Sequence, residues 1–78
     1  GSFRRRLTIV HKGFVEKKEV TKILAKNCKK FNLVQINADK KEGVVTLVYM
    51  TEGLSKGIET LMKDLYSKEW CEKVTLHE

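Results

Sequence analysis

His11, Cys28 and Cys71 are the residues whose chemistry could serve a metal site. His11 ends one alternating apolar segment and Cys71 begins another, so the two would meet if these segments were antiparallel neighbours in a sheet. Together they would supply half of a zinc site, which normally takes four ligands. No Cys-x-x-Cys pair is present to hold a softer ion. We therefore predict no metal and no cofactor, and we interpret both cysteines as reduced structural thiols.

No set of residues has the spacing of a catalytic site. Nucleophilic or acid–base catalysis needs a base beside an activated nucleophile in a pocket, whereas the ten acidic residues are scattered through turns and helix exteriors. A glycine-rich phosphate-binding loop is also missing. We therefore predict no catalytic residues and no enzyme activity.

The positive charge is concentrated in the first third of the chain, which carries a net charge of +6 overall. Residues 3–30 contain ten lysines and arginines against two glutamates, whereas residues 31–78 contain six against eight acidic residues. An anionic partner would therefore meet the N-terminal third. The predicted basic surface consists of Arg4, Arg5, Arg6, Lys18, Lys22, Lys26 and Lys29.

Apolar periodicity predicts the elements that would position these residues. Alternation over residues 4–11 predicts a first strand with Leu7 and Ile9 toward the core. From about Val15 the apolar spacing becomes helical, and it becomes helical again from residue 54 to about residue 67. The helical spacing is carried by Val20, Ile23, Leu24, Cys28 and Phe31 in the first helix and by Leu54, Ile58, Leu61, Met62 and Leu65 in the second.

Residues 33–38 and 44–50 predict a β-hairpin around the polar turn at 39–43. The side chains expected to be buried on its inner face are Val34, Ile36, Ala38, Val45, Leu47 and Tyr49. Trp70 would close the core after the second helix, and Val74 and Leu76 indicate a short last strand.

The predicted order βαββαβ favours a ferredoxin-like α+β fold, in which a four-stranded antiparallel sheet carries two helices on one face. The first and third strands would be central. A chain of 78 residues, 41% of them hydrophobic, fits one small domain. We interpret Gly1 and Ser2 as a tag remnant and residues 3–78 as a single domain cut from a longer protein.

The opposite face of the predicted sheet carries no helix, and we predict that it is an interaction surface. Its central positions are Thr8, Val10, Thr46, Val48 and Met50. RNA recognition by this architecture stacks bases on aromatic side chains at such positions, so threonine and valine there argue against nucleic acid as the partner. The mixture of polar and aliphatic residues is typical of a surface that meets another domain or a second copy.

Several features together resemble a known family: the opening Arg4-Arg5-Arg6-Leu7, the element order, and the ending Trp70-Cys71-Glu72-Lys73-Val74-Thr75-Leu76. With these the chain resembles ACT modules, and in particular the ACT-like cytosolic domain that follows the membrane segment in MgtC/SapB-type proteins. The resemblance implies a regulatory role in magnesium limitation or transport. The Asp-x-x-Gly turn of amino-acid-binding ACT modules is replaced here by His11-Lys12-Gly13-Phe14.

These observations predict a non-enzymatic regulatory or interaction domain on the cytosolic side of a bacterial inner-membrane protein. Its expected partners are another protein or the rest of the parent chain, an anionic membrane surface, and a second copy in a weak homodimer. An arginine run at the start of the domain fits the excess of basic residues beside transmembrane segments. Two alternatives stay open: a small-ligand-sensing ACT domain of an enzyme, and a nucleic-acid-binding module that contacts only phosphates.

Overall fold

The computed structural model describes all 78 residues and confirms the predicted ferredoxin-like α+β fold. The strands are β1 (Ser2–Lys12), β2 (Lys30–Asp39), β3 (Val44–Leu54) and β4 (Cys71–Leu76). The helices are α1 (Lys17–Asn27) and α2 (Ile58–Tyr66), with a single 3-10 turn at Ser55–Gly57 before α2. The strands lie in the order β2-β3-β1-β4 and every neighbouring pair is antiparallel. The strands β1 and β3 are therefore central, as predicted.

The core lies between one face of the sheet and the two helices. Leu7, Ile9 and Tyr49 point to this face from the central strands, and all three are buried. They pack against the helical residues Val20, Ile23, Leu24, Leu61 and Leu65. Because both helices contribute to one cluster, both cover the same face of the sheet. Trp70 packs against the edge of the cluster.

Helix α1 ends earlier than its apolar spacing predicts. Cys28 has extended backbone angles (φ −123°, ψ 147°), and Phe31 lies in β2 opposite Thr51. The prediction that these two residues continue the helix is wrong, although both contact the core. The backbone N–H of Lys29 donates to the carbonyl of Glu52 at 2.8 Å, so bonding to the sheet replaces the next helical turn.

Strand β3 runs further than predicted. Leu54 pairs with Ser2 at the end of the β1–β3 ladder, so it belongs to the strand and not to the second helix. Gly53 lies opposite Phe3, and a Cβ atom on Gly53 would be 3.0 Å from the Phe3 ring. The missing side chain at Gly53 allows this ring to lie against the strand, which keeps the sheet packed up to the turn at Ser55.

A β-bulge in β2 changes which hairpin side chains face the helices. The register shifts between Leu33 and Gln35, and Leu33 rather than Val34 packs against the core. Val34 is 53% exposed and Ile36 is 61% exposed, and Ala38 is exposed as well. The prediction that these three residues are buried is therefore wrong. On β3, Tyr49 is buried as predicted, whereas Val45 and Leu47 are only half-buried.

The exposure of the hairpin follows from the position of the helices across the sheet. On β1 the inner-face residues Phe3, Leu7, Ile9 and His11 are all buried, so this strand is covered at both ends. Ile36 of β2 lies in the same cross-strand row as Ile9 but is exposed. The uncovered part of the inner face is therefore the outer strand β2 beside the hairpin turn. The long axis of the molecule measures 41 Å against 22 and 20 Å for the others.

Candidate interaction surfaces

The five residues predicted on the open sheet face lie together on the layer without helices. Thr8 is the register partner of Val48, and Val10 is the partner of Thr46. Met50 follows on the same face opposite Arg6. All five predicted side chains are half-buried, because neighbours on a pleated face shield one another. The structure thus brings these residues into one contiguous ladder along the two central strands.

Polar side chains border this ladder on both outer strands. On β2, Gln35 and Asn37 are the partners of Val48 and Thr46. On β4, Thr75 is the partner of Thr8, and the Thr8 hydroxyl Oγ1 lies 3.0 Å from the Nε2 atom of His77 in a hydrogen bond. The open sheet face is therefore an aliphatic centre with polar margins, which is the usual arrangement of a protein interface.

The residues predicted to form one basic surface are divided between two layers. Arg4 and Arg6 lie on the open sheet face, opposite Glu52 and Met50. Arg5 has the parity of the buried residues in β1 and is half-buried. Three of the four predicted lysines, Lys18, Lys22 and Lys26, lie on α1, and Lys29 lies just after it; α1 covers the other face. The structure does not bring the arginine and lysine groups together.

Acidic side chains partly neutralise the lysine group. The Lys18 ammonium lies 3.6 Å from the Glu16 carboxylate, and the Lys26 ammonium lies 3.5 Å from the carboxylate of Asp64 in α2. The Asn27 side-chain amide donates to Asp64 Oδ2 at 3.0 Å. This hydrogen bond, together with Lys26 and Lys68, lowers the pKa of Asp64. Of the four predicted lysines, Lys22 and Lys29 form no ion pair.

His11 and Cys71 do meet, since they are register partners between β1 and β4. His11 is only 4% exposed, and its Nδ1 atom has no hydrogen-bond partner. Its ring lies edge-on to Trp70 at a centroid distance of 6.1 Å. Burial raises the pKa of Cys71 and of Cys28, which disfavours the thiolate that binds metals. No cluster of three or more potential metal ligands occurs in the structure.

An apolar groove lies on the inner face of the sheet between the start of α1 and the hairpin strands β2 and β3. We call it the hairpin groove, and its volume is about 340 Å³. Its lining comes from the loop after β1, the first turns of α1, and the inner faces of β2 and β3, and it includes Phe14, Val15, Lys17, Val20, Leu33 and Ile36. Phe14 is 93% exposed. Sequence reasoning missed this site because it assumed that the whole inner face was covered.

A backbone hydrogen bond links two turns beside the hairpin groove. The backbone N–H of Gly13 donates to the carbonyl of Gly43 at 2.9 Å. Both glycines have positive φ angles, of 55° and 71°, a conformation that other residues adopt only at a cost. The hydrogen bond connects the loop that carries Phe14 to the tip of the hairpin.

The comparisons with known proteins give no further assignment. Neither the protein-family models nor the curated proteins include a match to this chain. Neither helix is long and apolar enough to cross a membrane. The resemblance to ACT and MgtC/SapB domains stays a prediction.

Proposed function

We propose that this chain is a non-enzymatic interaction domain that binds another protein, or the rest of its parent chain, through the open sheet face. The observation that supports the proposal is the ladder of half-buried aliphatic and threonine side chains along β1 and β3, which carries no covering layer. Contiguous aliphatic surface of this kind is most stable when a partner removes it from water.

The open sheet face is somewhat smaller than a standard protein interface. Four strands with a spacing of about 4.8 Å and a length of up to about 36 Å present roughly 19 by 36 Å. A standard interface buries about 800 Å² on each partner. The charges on this face favour an acidic partner, because its basic residues outnumber Asp39 and Glu52. By register the basic residues are Arg4, Arg6, Lys12, Lys30 and Lys73.

The regulatory role belongs to the same proposal. The resemblance to MgtC/SapB-type proteins supports a position on the cytosolic side of a bacterial inner membrane and a link to magnesium limitation or transport. Arg4, Arg5 and Arg6, which are among the residues that carry the resemblance, fit this position, because cytoplasmic segments beside transmembrane helices carry excess lysine and arginine. An anionic membrane surface is then a second contact, worth about 1 kcal/mol for each basic residue near it.

Site-specific photocrosslinking in cells tests the open sheet face. A photoreactive residue at Thr46 or Met50 should crosslink to one discrete partner, and the additional change Val48→Lys should abolish the product. The same photoreactive residue at Glu59 on α2 is the control and should give no such product. Equal crosslinking from all three positions would contradict the proposal, and so would a product that Val48→Lys leaves unchanged.

Vesicle binding tests the membrane contact and identifies the layer responsible. The chain should bind vesicles that contain anionic lipid and dissociate in moderate salt, because exposed charges are screened over about 10 Å at 0.1 M. Since the arginines and lysines lie on different layers, Arg4→Gln with Arg6→Gln can be compared directly with Lys22→Gln with Lys29→Gln. Equal binding to neutral vesicles would contradict an electrostatic contact.

A further inference from the structure

The two edges of the sheet differ in how they are protected against pairing with another chain. The β4 edge has only six residues, includes Glu72 and Lys73, and shows a register irregularity opposite Val10 and His11. The β2 edge has ten residues, and its segment from Phe31 to Ala38 contains no charged residue and no proline. Charges, prolines and short length are the usual devices that block an exposed edge. Only β4 has them.

The unprotected edge lies directly beside the hairpin groove. Leu33, Ile36 and Ala38 of β2 line the groove, and the remaining side of β2 has no neighbouring strand. From Leu33 to Ala38 the groove follows the strand for about 16 Å. Backbone hydrogen-bonding groups and an apolar channel therefore run side by side, which is the combination used when an extended peptide is added to a sheet.

The bulge at Val34 defines the part of the edge that is suited to pairing. Regular register with β3 resumes at Gln35 and continues to Asp39, and this segment passes over the groove. An added strand would point every second side chain toward the helix side of the sheet. Those side chains would cover Ile36 and contact Phe14, two of the most exposed apolar residues in the molecule.

The charges beside the groove select the chemistry of the added strand. Lys17 lines the groove itself. A shallow depression next along α1, which reaches Phe31 of β2, is lined by Lys18 and Lys22 and contains Glu19 as its single acidic residue. Glu16 also lies 3.6 Å from Lys18, so three lysines face two glutamates on the helix wall beside an added strand, and Lys17 and Lys22 form no ion pair. Acidic residues in the partner would complement them.

We propose that the hairpin groove and the free edge of β2 together bind an extended peptide segment of another protein, with apolar residues at alternate positions and acidic residues beside them. The segment pairs with Gln35–Asp39 through its backbone and inserts its apolar side chains beside Phe14 and Ile36. This site lies on the opposite side of the sheet from Thr46 and Val48. It is therefore a second, separate interaction surface, and it does not depend on the open sheet face.

Selection of a random library of twelve-residue peptides on the purified chain tests the proposal. Enriched peptides should alternate apolar residues and contain acidic residues. Ile36→Lys should weaken the binding of these peptides at least about tenfold, as expected for an apolar anchor, and Phe14→Lys should also weaken it. Amide chemical shifts on adding an enriched peptide should change at Gln35–Asp39.

Three control variants separate this site from other surfaces. Tyr66→Lys removes an equally exposed aromatic residue from α2 and should leave peptide binding unchanged. Val48→Lys, which disrupts the open sheet face, should also leave it unchanged. Lys17→Glu with Lys18→Glu should weaken acidic peptides and change the selected sequences toward basic residues. Melting temperatures of all variants establish that each one is folded.

Three results would overturn the proposal. The first is a selection that enriches no peptide on the wild type beyond those recovered on Ile36→Lys. The second is enrichment of peptides with helical apolar spacing or with basic residues. The third is a wild-type dimer that Ile36→Lys converts to monomer, because a second copy would then occupy the β2 edge.

Discussion

Two regions of the inner face of the sheet are built from the same kind of sequence but differ in burial. On the central strand β1, Leu7 and Ile9 are fully buried. On the outer strand β2, Ile36 lies in the same cross-strand row as Ile9, through Leu47 of β3, but is 61% exposed and lines an open groove. Both strands present aliphatic residues with the parity of the inner face. The difference shows that alternation assigns a side chain to a face, whereas burial requires another element above that face.

The supporting structure differs between the two regions as well. The helices above β1 contact each other, and the Asn27 side chain of α1 donates to Asp64 of α2. The hairpin is held by the hydrogen bond from Gly13 to Gly43 and by the hydrogen bond from the Glu42 backbone to Asp39 Oδ1 at 3.0 Å. The covered region around β1 is suited to stability, and the exposed β2 strand is suited to binding. Matched substitutions in the two regions test this division.

The largest effect is expected for Ile9→Ala on the covered central strand β1. Removing a fully buried aliphatic side chain leaves a cavity and costs about 2–5 kcal/mol, against a total stability of about 5–15 kcal/mol for a small domain. Urea denaturation measures the change, and Thr8→Ala on the open sheet face is the neighbouring control. A loss of stability below about 1 kcal/mol would show that Ile9 of β1 is not part of the core.

A smaller loss is expected for Gly53→Ala on β3, opposite Phe3. The new Cβ atom would lie 3.0 Å from the Phe3 ring and 3.3 Å from the carbonyl oxygen of Asn27, and such overpacking costs about 1–3 kcal/mol. Urea denaturation measures the loss. Phe3→Leu should remove part of the crowding, so the double variant should lose less than the sum of the two single losses. Strict additivity would contradict the proposed clash.

The substitution Asp64→Asn tests the connection between the helices through its pH dependence. The hydrogen bond from Asn27, with Lys26 and Lys68, lowers the pKa of Asp64 in the folded state below its ordinary value. A lowered folded-state pKa contributes stability that is present above the unfolded value and is lost as the pH falls through the folded value. The wild type should therefore melt at a higher temperature than the variant at pH 7, and the difference should shrink as acid protonates Asp64. A difference that is constant with pH would exclude a charge effect.

The smallest effect is expected for Ile36→Ala on the exposed outer strand β2. The chemical change is the same as in Ile9→Ala, but the side chain is already mostly in water, so we expect a loss of about 0.5 kcal/mol or less. The comparison of the two isoleucines by urea denaturation is direct because both belong to the inner face. A loss near that of Ile9→Ala would show that the groove is part of the core.

The open sheet face and the hairpin groove can also be compared as surfaces for self-association. Sedimentation at rising protein and salt concentration should show a monomer or a weak dimer, because a net charge of +6 keeps copies apart until salt screens it. If the mass rises, Val48→Lys and Ile36→Lys show which surface is responsible. A monomer under every condition would leave both surfaces to partners other than a second copy.

Much of the fold could be predicted from the sequence because its signals are local. Alternation in β1 and in β3 up to Tyr49, and the helical spacing of Leu61 and Leu65, each assign a face without reference to the rest of the chain. The element order then restricts the topology to few arrangements, since crossovers are short and right-handed. The five positions on the open sheet face follow from the same parity.

The remaining features depend on contacts between residues far apart in sequence. The bulge at Val34 reverses the parity of β2, and it arises from register with β3. Asp64 neutralises Lys26 only because α2 packs beside α1.

The sequence by itself determined which residues prefer one face of each element, because that preference is periodic along the chain. Tertiary structure alone decided which of those faces are covered, since the core packs over β1 and leaves the outer strand β2 exposed, although Ile9 and Ile36 share one cross-strand row. It also separated Arg4 and Arg6 from the lysines of α1 by placing them on opposite layers. The hairpin groove exists for that physical reason: the sequence specifies an apolar face there, and the fold leaves it open.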